Sequence, residues 1–169
     1  MIDLGGLGHL SILHTCAMGG RVAVLLRSPD KEDEAKELAA GLFVNTDSGS
    51  IANALTEWER GADIIPATAP AAELMAPVLP GLAPDGTLVV LAVAPDEIMV
   101  ATMNLVPSRL YLMGSPSGSR KDIRDALKFA AEHDIRPRIT RHSLEGVGNL
   151  LREMRDARRM PARPCCVSY

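Results

Sequence analysis

Long apolar runs are what this chain of 169 residues most plainly lacks. No stretch approaches the roughly 18 residues that a membrane helix needs, so no membrane partner is expected. Aromatic residues make up only 3% of the sequence, with a single tryptophan. Alanine, leucine, valine, isoleucine and methionine must therefore fill the interior. Cysteine is scarce too: Cys16, Cys165 and Cys166 give no disulfide framework, which fits a reducing compartment. No basic leader runs into an apolar stretch, so the expected location is cytoplasmic.

Metal-ligand spacings are also missing. Cys165 and Cys166 are adjacent and cannot both face one site from a strand, and no C-x-x-C occurs. His9 and His14 stand five apart, off the i, i+4 spacing of zinc-binding pairs. No metal site, and no zinc, is expected.

Charge is unevenly spread. Residues 1–105 hold 5 basic against 14 acidic residues, a net of −9, and residues 106–169 hold 13 against 7, a net of +6. The basic third interleaves arginine with acid at helical spacing, as in Arg120, Asp122, Arg124 and Asp125. That pattern describes a solvated helix face, so no nucleic-acid partner is expected.

Short β-branched runs alternate with longer helical stretches. Strands are expected at residues 21–26, 42–45, 62–67, 87–93 and 109–114, with short ones near 138–140 and 165–167. Helices are expected at 7–18, 30–40, 50–58, 71–82, 120–133 and 144–157. Pro66 should fall at the end of its strand because it cannot donate to the ladder. Such alternation means an α/β fold, a Rossmann-like doubly wound parallel sheet with helices on both faces.

The first residues, MIDLGGLGHL, place a glycine turn before a helix. In the dinucleotide fingerprint G-x-G-x-x-G, the first glycine makes the turn, the second admits the pyrophosphate and the third lets helix and strand pack closely. Those positions are Asp3, Gly5 and Gly8, so the first glycine is an aspartate. Only Met1 and Ile2 stand where the leading strand belongs, so the first strand is expected to be truncated. Residues 1–4 pair as a stub, or the flanking strands close up, or another subunit fills the gap.

The stretches GGLGHL and AMGGRV, RSPDKEDEAKELAAG, GADII, APDGTLVVLA and MGSPSGSRKDIRDALKFAAEHDIRPRI resemble, in order and spacing, the C-terminal half of the medium-chain zinc-dependent alcohol dehydrogenases. The resemblance implies a Rossmann cofactor domain at residues 1–137 and, at 138–169, a tail that in the family returns to the catalytic domain. It also implies a family N-terminal zinc domain with no counterpart in these residues. The chain looks like half of a dehydrogenase, cut at its phosphate turn.

Cofactor contacts implied by this reading are Gly5, Gly6 and Gly8 at the turn, with their N–H groups and the helix dipole facing phosphate. Where NAD-binding members carry an acid after the second strand, this chain has Leu26, then Arg27, Ser28 and Lys31. That acid-free cluster resembles the NADP-preferring members. Arg120 falls in a region that lies near the cofactor in the family. Three functions stay open: an oxidoreductase-related, NADP-leaning cofactor domain, incapable alone of zinc-assisted chemistry; a repurposed cofactor-independent cyclase, lyase or isomerase with Asp3, His9, His14 and Ser115 around an opened cleft; or a non-catalytic subunit completed by another chain. The partners expected are a small-molecule ligand and a second copy, a homodimer joined at the edge strand that opens on Arg109 and closes on Gly114.

Overall fold

Short apolar strands and helices alternate along the chain, and the order in which the strands bond decides where everything else sits. The computed structural model describes the backbone of residues 1–155 and 164–167 and the side chains of residues 1–153. The chain divides into two units, Met1–Ile135 and Arg136–Tyr169.

The first unit runs α1 (Gly6–Ala17), β1 (Ala23–Leu26), α2 (Glu32–Glu37), β2 (Leu42–Asn45), α3 (Ile51–Glu59), β3 (Ala62–Ala67), α4 (Ala72–Val78), β4 (Leu82–Val90), α5 (Thr102–Leu105), β5 (Tyr111–Gly114) and α6 (Arg120–Glu132). β1 pairs with β2, β3 with β4 and β4 with β5, every pair parallel. The two half-sheets are joined through Ile2, which bridges in parallel to Leu25 and to Ala67. Residues 1–4 thus occupy the central position, between β1 and β3. This is the doubly wound Rossmann order with its first strand reduced to a stub.

Alternation along β1 shows how the two faces are covered. Val22 and Val24 pack with Met1, Leu4, Ile12 of α1, and Ala35 and Leu38 of the α2 region. Ala23 and Leu25 pack instead with Ile2, Ile51 and Leu55 of α3, and Met75 and Val78 of α4. Successive strand residues point to opposite faces, so one short strand feeds both cores.

Several boundaries differ from the sequence pattern for local reasons. The helix expected over residues 30–40 opens as a 3-10 turn at Pro29–Lys31, and α2 stops at Glu37. Ala39, with φ of 67°, then turns the chain. Pro77 sits inside α4, and the expected helix gives way at Leu79–Gly81 to a 3-10 turn holding Pro80. β4 starts at Leu82, earlier than expected, because the β3–β4 register shifts between Ala62 and Ile64. Asp85 takes a φ of 65° in that bulge, and Arg109 clips it through Nε to Oδ1 at 2.7 Å. Pro66 lies next to last in β3, with its carbonyl accepting from Ile2 N–H at 3.0 Å. Its missing N–H therefore faces the stub, and the β3–β4 ladder is untouched.

In the second unit, β6 (Thr140–Ser143) pairs in parallel with β7 (Pro164–Val167), and α7 spans Val147–Arg155. The last two residues of the expected helix over 144–157 lie outside the described residues. No helix among the described residues is long and apolar enough to cross a membrane.

The stub buries the α-amine of Met1, which donates to the Ala23 carbonyl at 2.6 Å. Burial pushes this amine down from 8.0 to about 5. Between those values only the unfolded chain takes up the proton, so stability falls as pH falls through that window and levels off below it. The loss is at most about 1.4 kcal/mol per pH unit. Denaturant unfolding from pH 8 to pH 5 is expected to show this slope for the free amine, and a smaller one after N-terminal acetylation.

Candidate cofactor site

The glycine turn sits at the carboxyl end of the stub, where α/β sheets bind ligands. Asp3 has a φ of 82°, a left-handed conformation that costs most residues about 1–2 kcal/mol and that asparagine and aspartate tolerate best. The turn therefore keeps the backbone shape of the fingerprint although its first glycine is gone. A Cβ on Gly8 would stand 2.5 Å from the Asp3 carbonyl oxygen, so only glycine lets α1 pack this close to the stub. A Cβ on Gly5 would stand 2.8 Å from Oδ2 of Asp3, which folds the carboxylate over the turn. Gly6 has open space around it. Gly5 is the N-cap of α1, so the turn leads straight into the first-turn N–H groups, which have no partner within the helix itself.

Lys31 is brought to the turn. Its Nζ donates to the Leu4 carbonyl at 2.9 Å, a link across 27 residues that sequence spacing does not reveal. Ser28 is taken up locally, its Oγ accepting from Asp30 N–H at 3.3 Å to cap the 3-10 turn. Arg27 forms an ion pair with Glu73 of α4. Both side chains are about half exposed, and such a surface pair contributes little and rearranges readily. Arg120 begins α6 behind a capping box in which Ser119 and Asp122 exchange hydrogen bonds. The Ser119 hydrogen bonds hold the Asp122 carboxyl below its usual range.

The other candidates are scattered. His9 is buried beneath the turn, with Nδ1 3.2 Å from the Gly5 carbonyl, and does not face an open cleft. His14 bonds to the Leu10 carbonyl at 2.9 Å and stacks on Phe129 of α6. Ser115 lies with Val90, Asp96 and Pro116 around a cavity of about 430 Å³ that none of Asp3, His9 and His14 lines. Burial pushes the Cys16 thiol up, away from thiolate character. Among the described residues no group of three or more His, Cys, Asp and Glu side chains could hold a metal ion.

Residues 6–132 match the family model for zinc-binding dehydrogenases. The chain belongs to that family. It is 34% identical over 142 residues to the alcohol dehydrogenase notN of Aspergillus sp. (strain MF297-2), covering 84% of this chain and 41% of the relative. A cinnamyl alcohol dehydrogenase of Sorghum bicolor superposes with a TM-score of 0.80 at 25% identity, over 98% of this chain and 45% of that one. The CAD of Helicobacter pylori, solved as a complex with NADP(H), shares the fold at a TM-score of 0.73 and 19% identity, over 98% of this chain and 45% of that one. The chain spans less than half the length of these relatives. The family is that of the medium-chain alcohol dehydrogenases, and the residues present here correspond to a Rossmann-like half of those relatives.

The clash geometry separates two glycines by role. Gly8→Ala is expected to lower stability by about 1–3 kcal/mol because α1 must shift off the stub. Gly6→Ala, with nothing in its way, is expected to leave stability unchanged or raise it by up to about 1 kcal/mol. Thermal unfolding of both variants checks the contrast.

Proposed function

We propose that this chain is the cofactor-binding half of an alcohol-dehydrogenase-like oxidoreductase and that it prefers NADP(H). The observation that carries the reading is the cation placed at the turn: β1 ends in Leu26 without an acid, and Lys31 is tied to the Leu4 carbonyl beside it. Gly5, Gly6 and Gly8 would hold the pyrophosphate through the N-terminus of α1. Arg27, released from Glu73, would pair with the 2′-phosphate, with Ser28 and Lys31 beside it and Arg120 near the cofactor. NADP(H), when bound, supplies two-electron redox chemistry. The residues of this chain bind and orient it, and the carboxylate of Asp3 opposes its pyrophosphate.

Calorimetric titration with NADPH and NADH tests this reading, and no heat from either would overturn it. Arg27→Ala is expected to weaken NADPH alone, by about 1–3 kcal/mol, whereas equal loss for both cofactors would remove Arg27 from phosphate recognition. Asp3→Gly is expected to tighten both cofactors, by about tenfold for one like-charge contact removed at the turn.

We also infer pairing of two copies through β5. Among the described residues this strand bonds only to β4, and Tyr111, Leu112 and Met113 are exposed. An open apolar edge without proline favours a two-fold partner. Leu112→Lys is expected to halve the mass seen by light scattering while leaving helical content intact. A wild-type chain of 18.0 kDa at tens of micromolar would contradict the pairing.

A further inference from the structure

The sequence contains a single Asp-Gly pair, Asp85–Gly86, and the fold places it where β4 bulges away from its partner. Leu82 pairs with Ala62 and Thr87 pairs with Ile64, so residues 83–86 of β4 stand opposite Asp63 alone. The Asp85 side chain is half exposed, whereas Gly86 is buried. A Cβ on Gly86 would stand 2.7 Å from the Ala83 carbonyl oxygen and 3.0 Å from that of Ala62, so the bulge closes only around glycine. The nitrogen that follows Asp85 is therefore shielded by no side chain of its own. Ser108 and Arg109 hold Asp85 from the neighbouring turn. Its N–H donates to the Ser108 carbonyl at 2.9 Å. Arg109 donates through Nε to Oδ1 at 2.7 Å and through Nη2 to Oδ2, so one guanidinium grips both carboxylate oxygens. These hydrogen bonds hold the Asp85 carboxyl below its usual range.

An aspartate followed by glycine can close on itself. In the neutral acid, the Gly86 nitrogen bonds to Cγ of Asp85, and its proton leaves with the carboxyl hydroxyl as water. The product is a five-membered succinimide. Water then opens the ring at either carbonyl. Attack at Cγ restores aspartate, and attack at the main-chain carbon leaves the chain linked through Cγ with the α-carboxyl free. The water lost is regained, so isoaspartate has the mass of aspartate and one more carbon in the backbone. The ionised carboxylate resists this step, because its charge repels the nitrogen and it has no hydroxyl to lose.

We propose that Asp85–Gly86 is a site of spontaneous isoaspartate formation and that Arg109 is the residue that restrains it. Arg109 acts in two ways. It keeps the side chain ionised, and with two bonds it fixes the carboxyl group against turning onto the Gly86 nitrogen. An exposed ion pair of this kind adds little stability, so its main consequence here is chemical. The contacts around Gly86 leave no room for an added backbone carbon, so the isomerised chain gives up the Arg109 clip beside β5. The proposal stands apart from the cofactor reading, since neither Asp85 nor Arg109 belongs to the proposed cofactor site.

The test compares the 169-residue chain with Arg109→Gln after weeks at neutral pH. Electron-transfer mass spectrometry reads the product, because only isoaspartate has a Cα–Cβ bond in the backbone to break. Asp47, followed by serine in an exposed turn, is the internal standard. Isoaspartate at residue 85 is expected to form about tenfold faster in Arg109→Gln, the factor by which losing one adjacent cation raises the neutral acid. The rate at Asp47 is expected to stay the same. Arg109→Lys keeps the charge without the two-point grip and is expected to fall between the two; it carries the same comparison should Arg109→Gln not fold. Equal rates at Asp85 with and without Arg109, or no isoaspartate there in either chain, would overturn the proposal. So would a common rise at Asp85 and Asp47, which would trace the change to a loosened fold.

Discussion

A handful of backbone hydrogen bonds at the very start of the chain holds the sheet together. Leu25 N–H donates to the Met1 carbonyl at 2.9 Å, and Asp3 N–H donates to the Leu25 carbonyl at 3.2 Å. On the other side Ile2 N–H donates to Pro66 at 3.0 Å, and the N–H and hydroxyl of Thr68 both donate to the Ile2 carbonyl, at 3.3 and 2.8 Å. Ile2 is buried against the α3 and α4 side, while Met1 and Leu4 are buried against the α1 and α2 side. Both half-sheets and both cores therefore meet on these few residues. The glycine turn hangs directly from them, so its geometry is only as fixed as the stub.

That dependence explains why the turn keeps its shape with aspartate at its first position. The left-handed φ at Asp3 is imposed by the stub on one side and by the approach of Gly8 on the other. Strain of this kind persists where the surroundings over-determine it. The Asp3 carboxylate lies over the turn at Gly5, and Lys31 reaches the Leu4 carbonyl of the same turn from the 3-10 segment after β1. Opposing charges are thus brought to one turn, and under the proposed cofactor reading their balance would set how strongly it attracts phosphate.

The fold was legible in the sequence because its signals are local. The runs at 42–45 and 62–67 alternate with capped helices, and both strands lie where that pattern puts them. The glycine turn was legible for the same reason. What the sequence did not reveal comes from pairs far apart in the chain. Lys31 on Leu4 and Glu73 on Arg27 span 27 and 46 residues, and no spacing rule reports them. His9 and Ser115 read as open polar residues, yet packing buries one beneath the turn and places the other at a separate cavity. Boundaries moved where one residue overrode the pattern, as at Ala39 and in the bulge at Asp85.

The claim that residues 1–4 unite the two half-sheets is tested most directly by amide hydrogen exchange resolved by NMR. The account predicts that the amides of Ile2, Leu25 and Thr68 exchange as slowly as those of Leu88 and Val89 in β4, opening only with global unfolding. Fast exchange at Leu25 and Thr68 while β4 stays protected would show that the half-sheets are held together by something other than this stub, and would contradict the account.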